Sequence, residues 1–164
     1  HGLRRVRSKR WPRRPHRSSP IRGLDVLELV DRFRPRTDRG FVERVVAAAL
    51  DFAGRPEQDV SLLLTDDAEI ARLHEQFMGD PTPTDVMSFA LDETSEVVIS
   101  VETARRVASE NATSIRAEVA LYIVHGVLHT VGYDDKSDAA RRCMRDAERQ
   151  VLATLRLQVR DVDA

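Results

Sequence analysis

The feature that most constrains this chain is the run Val-Ala-Leu-Tyr-Ile-Val-His-Gly-Val-Leu-His-Thr-Val-Gly-Tyr-Asp-Asp at 119–135. An apolar run of this length predicts a helix at the edge of a core. The four-residue spacing of His125 and His129 puts both imidazoles on one helix face, about one turn apart. Gly132 is a candidate left-handed C-cap, after which the chain turns back and carries Asp134 or Asp135 toward the same point. Two neutral imidazoles, one carboxylate and one open position suit a catalytic zinc ion. A histidine pair alone more often marks hydrogen-bonded core residues, so the reading depends on what surrounds it.

No apolar stretch among the 164 residues approaches the length of a membrane span, and 41% hydrophobic content fits one domain with a modest core. The single cysteine, Cys143, has no partner for an internal disulfide, which fits a reducing, cytoplasmic setting. It is expected to be buried or half-buried in a helix as a small hydrophobe.

Charge is unevenly spread. Residues 1–22 carry 9 of the 26 Lys and Arg residues and no acid, so 17 bases face 27 acids in the remainder, a balance of about −10. Such an arm either attracts RNA phosphates through counterion release or is a disordered extension outside the domain, and the second is the preferred reading. A chain that begins at His1 rather than Met is also expected to lack its own start. The boundaries drawn are therefore a basic extension at 1–23 and one domain at 24–158.

Within the domain, Leu24 to Val30 reads as a strand ended by Arg34-Pro35-Arg36. Thr37 offers an N-cap for a helix over 39–53, with Phe41, Val45, Val46, Ala49 and Phe52 on its apolar stripe. Val60 to Thr65 reads as a strand buried on both faces. Asp66 or Asp67 caps the next helix, which carries His74 on its surface and ends at Gly79. Thr84 to Phe89 and Glu96 to Ser100 read as paired strands about an Asp92–Ser95 turn. Three helices complete the chain: Val101 to Asn111, the histidine helix capped by Thr113 or Ser114, and a last one capped by Ser137. In that last helix Ala140, Met144, Ala147, Val151 and Leu155 form the packing stripe. The fold class is α+β, an α/β-like sandwich with one mixed sheet of about four strands flanked by helices.

The segment His125-Gly-Val-Leu-His129-Thr-Val-Gly132-Tyr133-Asp134-Asp135 resembles the signature of the YbeY family, metal-dependent endoribonucleases of ribosomal RNA maturation, whose pattern ends in a third histidine. Pro83 to Phe89 and Val98 to Ser100 also resemble family segments, so the likeness covers roughly residues 60–135 in order. It implies one Zn2+ held by His125, His129 and Asp135, with Asp135 at the third-histidine position and the two histidines also catalytic. Thr84, Asp85 and Ser88 are implied as substrate contacts. The implied activity is single-strand-specific cleavage of RNA in 16S rRNA 3′-end maturation and late ribosome quality control, with ribosome or small-subunit components as partners.

The sequence departs from the pattern at Asp135 and at Met78, where the family carries an arginine expected to meet substrate phosphate. Met78 is read as a core gap filler, with Arg72 or Arg105 as candidate replacements for the arginine. Losing both family residues opens the alternative of a non-catalytic rRNA-binding assembly factor. A zinc metallopeptidase fits less well, because its H-E-x-x-H motif needs a glutamate where Gly126 stands.

The arm gives a direct test. Deleting residues 1–22 is expected to weaken RNA binding and flatten its salt dependence. Equal affinity and equal salt slope with and without the arm would show it to be a bystander.

Overall fold

The computed structural model describes residues 27–82, 84–91 and 94–158. The basic arm, residues 24–26, Pro83 and the Asp92–Glu93 portion of the expected turn lie outside the described residues. In chain order the elements are β1 (Leu27–Asp31), α1 (Arg39–Phe52), β2 (Asp59–Thr65), α2 (Asp67–Met78), β3 (Val86–Leu91), β4 (Thr94–Ser100), α3 (Val101–Asn111), α4 (Ile115–Thr130) and α5 (Asp138–Thr154). The strands form one mixed sheet in the order β1-β2-β4-β3. β2 pairs in parallel with both β1 and β4, while β3 pairs antiparallel with β4. The α+β sandwich expected from the sequence is thus the observed architecture.

Strand alternation assigns side chains to two cores of unequal size. Val60, Leu62, Leu64, Val97 and Ile99 point into the larger one, with α1, α4 and α5. Leu63, Val98 and Met87 point the other way and meet Ile70 and Leu73 of α2, with Val30, Phe77 and Phe89 packed around them. At about 1.5–3 kcal/mol per buried aliphatic side chain, the larger face carries most of the burial energy. α2 is the more lightly held layer, tied to α3 by Asp67. That carboxylate accepts from Ser100 Oγ and Thr103 Oγ1 at 2.5 Å each and pairs with Arg106 at 3.0 Å. Burial alone pushes the Asp67 carboxyl up, but these hydrogen bonds outweigh it and bring it down to about 2.

Several local expectations shift by a residue or two. Asp38, not Thr37, caps α1: its carboxylate accepts from Gly40 N at 3.2 Å, whereas Thr37 N is engaged by Asp31 Oδ2 at 2.8 Å. Asp66 caps α2, and Ser114 and Ser137 cap α4 and α5. β3 begins at Val86 rather than Thr84, because Asp85 Oδ1 takes the Val86 N–H at 2.9 Å and the ladder starts with the Val86–Ile99 pair. Met78 is 60% exposed instead of filling a gap, since the turn at left-handed Gly79 follows it and it is Ile70, Leu73 and Phe77 of α2 that face the sheet. Cys143 is exposed, because α5 turns its neighbour Met144 inward and leaves the cysteine on the outer side.

α4 runs through the middle of the structure, contacting α1, α3, α5, β3 and β4. It is buried along most of its circumference, at Val119, Ala120, Ile123, Val124, Val127 and Leu128 among others. The point of closest approach to the sheet is Gly126. A Cβ there would lie 2.5 Å from Val97 Cγ1 and 3.2 Å from Val86 Cγ1. Val97 is fully buried and β-branched, so it has little freedom to move aside.

Gly126→Ala therefore sets two effects against each other. Alanine favours a helix by about 1 kcal/mol over glycine, whereas overpacking a filled core costs about 1–3 kcal/mol. The clash is the larger, and urea unfolding is expected to show net destabilisation. Equal or greater stability in the alanine variant would show that Val97 gives way freely.

Candidate metal centre

The histidine face of α4 emerges beside the edge strand β3. A cavity of about 130 Å3 lies there, lined by Asp85 and Val86 before and at the start of β3, by Leu121, Tyr122 and His125 of α4, and by Glu148 of α5. His125 is fixed from behind, with Nδ1 2.6 Å from Glu148 Oε1. A carboxylate on Nδ1 selects the tautomer protonated there and leaves the Nε2 lone pair free, the arrangement typical of a metal-binding imidazole. The His129 ring stands 6.0 Å away, centroid to centroid and edge-on. Beyond α4, Gly132 at φ 114° lets Tyr133 N reach back to Leu128 O at 3.1 Å, folding the following turn toward the histidines. The helix itself ends at Thr130 with Val131 as its C-cap, one residue before the expected glycine cap.

The two aspartates of that turn behave differently. Asp134 Oδ1 accepts from Lys136 N at 3.0 Å and serves the turn. Asp135 Oδ1 lies 3.8 Å from His129 Nε2. A tetrahedral ion with bonds of about 2.0–2.1 Å holds its donors roughly 3.4 Å apart, so this pair is slightly too wide. Among the described residues, no three His, Cys, Asp or Glu side chains gather closely enough to hold an ion. The donor set nevertheless fits a divalent cation in kind: an oriented imidazole, a second one a turn away and a carboxylate. The Asp135 side chain is 52% exposed, so it has room to close the gap.

The electrostatics of the cavity are acidic. The hydrogen bond His125 donates to Glu148 raises the His125 pKa above its ordinary value; burial opposes this, and the charges of Glu148, Asp85 and Asp135 add to it. Burial pushes Tyr122 well up, helped by Asp85 and Glu118, so its phenol stays protonated. Glu118 is raised chiefly by burial and accepts from Thr113 Oγ1 at 3.1 Å.

Of the expected substrate contacts, Asp85 lines the cavity, while Thr84 and Ser88 do not. Thr84 Oγ1 is turned to Val86 O at 3.1 Å, and Ser88 stands within β3 opposite Val97. Neither candidate arginine reaches the cavity. Arg72 bonds Gln76 on its own helix at 3.4 Å, and Arg105 lines a different cavity. His74 is a helix-surface residue as expected, its Nδ1 2.9 Å from Thr82 O in the turn after α2. The sequence reading missed Glu148. It flanks the packing stripe of α5, four residues after buried Met144, and a carboxylate on an inward face was the signal available.

A family model described as Endoribonuclease YbeY matches residues 31–156. The chain belongs to the YbeY family of endoribonucleases. It is 39% identical over 131 residues to the Endoribonuclease YbeY of Pelotomaculum thermopropionicum, covering 72% of this chain and 86% of that one. With the Endoribonuclease YbeY of Roseiflexus castenholzii it shares 34% identity over 148 residues, covering 80% and 92%. A solution structure from Thermotoga maritima aligns with a TM-score of 0.59 at 20% identity, over 84% of this chain and 99% of that one, a likeness of fold. The histidine pair, Gly132 and the β3–β4 hairpin all fall inside the span of the YbeY match.

The pairing of His125 with Glu148 has a measurable consequence in the metal-free protein. In Glu148→Gln the main cause of the raised His125 pKa is removed, so the imidazole is expected to titrate at lower pH in NMR spectra of the ring protons. An unmoved titration would show that Glu148 does not control this ring.

Proposed function

We propose that this protein is a cytoplasmic, single-strand-specific, metal-dependent endoribonuclease acting in 16S rRNA 3′-end maturation and late ribosome quality control. Its family is one of endoribonucleases, and none of its helices among the described residues is long and apolar enough to cross a membrane. The observation that carries the reading is the Glu148-oriented His125, one turn from His129 and facing a cavity beside Asp85.

His125, His129 and Asp135 would hold one zinc ion. When bound, such an ion polarises a phosphoryl oxygen and lowers the pKa of its water to about 7. The chain's own groups do the rest. Glu148 accepts from Nδ1 of His125 and so leaves Nε2 as the ring atom that would meet the ion, and Val86 and Leu121 wall the cavity. Asp85 presents an acceptor to a ribose hydroxyl, the group that separates RNA from DNA. Thr84 and Ser88, expected as substrate contacts, would follow only if the start of β3 rearranges around RNA.

One observation favours a second reading. Among the described residues the three proposed ligands do not close on one point and no arginine lines the cavity. An rRNA-binding assembly factor without catalysis would look the same. The metallopeptidase reading has no such support, because the position its general base would occupy is Gly126, pressed against Val97.

Metal content by mass spectrometry, paired with cleavage of a single-stranded RNA, separates these readings. His125→Ala with His129→Ala is expected to lose both metal and cleavage. Asp135→Ala is expected to lose metal affinity much more than Asp134→Ala. Metal stoichiometry unchanged in the double variant would end the metallonuclease reading, while bound metal without cleavage in the parent protein would favour the assembly factor.

A further inference from the structure

A second, larger cavity of about 240 Å3 opens where the loop after β1, the start of α1, α3 and the start of α4 meet. Its floor includes Phe33, Phe41 and Ile115, and its wall carries Arg36, Arg105 and Arg116. Arg116 lies over the Phe41 ring at 4.2 Å and Arg105 over the Phe33 ring at 5.9 Å. The acid on this wall, Asp38, is committed to the cap of α1. Among the described residues none of the three guanidinium groups makes an ion pair. Their charge is left facing a common space.

This cavity is separate from the histidine site. Arg116 precedes His125 by nine residues, which is about 13 Å along α4 and half a turn around it. The two sites also differ in sign. The histidine cavity is lined by Asp85 and Glu148 and, among the described residues, by no Lys or Arg. An enzyme that grips a polyanion needs cationic contacts somewhere on its surface, and Met78 removes one at the expected place.

We propose that the Arg36–Arg105–Arg116 cavity is a nucleotide subsite that anchors single-stranded RNA away from the cleavage site. The guanidinium groups take a backbone phosphate, for which their planar forks are suited, and a base rests on the apolar floor or on an arginine plane. A purely acidic peptide would use the charges but leave exposed Ile115 and half-buried Phe33 uncovered. The proposal rests on the reading of this protein as an RNA-acting enzyme.

The test compares the full chain with Arg36→Ala/Arg105→Ala, two exposed side chains whose loss opens no core. Binding to a short single-stranded RNA is read by fluorescence anisotropy across salt concentrations, and cleavage by steady-state kinetics. The variant is expected to bind RNA about ten-fold or more weakly, with a salt slope shallower by about one. KM should rise with kcat nearly unchanged, because the contact is made equally in ground and transition states. The His125→Ala/His129→Ala variant is expected to retain the parent's RNA affinity. If that variant still cleaves, the metallonuclease reading fails while the subsite stands. Equal RNA affinity and equal salt slope in the arginine variant would overturn the subsite. So would loss of polyglutamate binding with RNA binding intact, which would assign the surface to an acidic protein.

Discussion

The approach of α4 to β4 at Gly126 is the contact on which the rest of the structure depends. Because no side chain separates the helix from Val97, α4 sits deep enough to be enclosed by α1, α3 and α5 as well as by the sheet. A helix lifted by one methyl group would still be apolar and still be covered, but its histidine face would stand at a different height above β3. The cavity beside Asp85 exists because helix and edge strand meet at this spacing. The same glycine therefore serves packing and placement, and the two cannot be varied independently.

Depth also explains the chemistry of His125. The ring is partly withdrawn from water, which by itself favours its neutral form, yet it faces a carboxylate at 2.6 Å that favours the charged form. The hydrogen bond is the larger influence, so in the metal-free protein His125 is held closer to protonation than an ordinary histidine. A cation arriving at Nε2 would replace that proton as partner to the same acidic surroundings. A negative pocket of this kind attracts a divalent ion and repels a phosphate until the ion is present.

Charge is consequently divided across α4. Acids collect on the β3 side, while Arg36, Arg105 and Arg116, which make no ion pair among the described residues, collect around Phe33 and Phe41 on the far side of the helix. Met78, where the resembled family pattern carries an arginine, stands exposed at the end of α2.

What the sequence determined by itself was whatever depends on local spacing. The i, i+4 histidines, the cap at Ser137, the narrowing of two other caps to Asp66 or Asp67 and to Thr113 or Ser114, the turn at Gly132 and the doubly buried Leu62–Leu64 strand follow from periodicity and from backbone hydrogen-bond needs within a few residues. Element order and the mixed sheet followed as well, because the period of the apolar pattern changes between strands and helices. Where local rules were ambiguous, tertiary contacts decided: Asp31 drew Thr37 out of the cap, and the Asp85 side chain delayed β3 by two residues. Met144 facing inward left Cys143 exposed. The pairing of Glu148 with His125 and the gathering of Arg36, Arg105 and Arg116 join residues far apart in the chain. Neither leaves a periodic trace, because such meetings depend on how helices are stacked and not on how any one helix is wound.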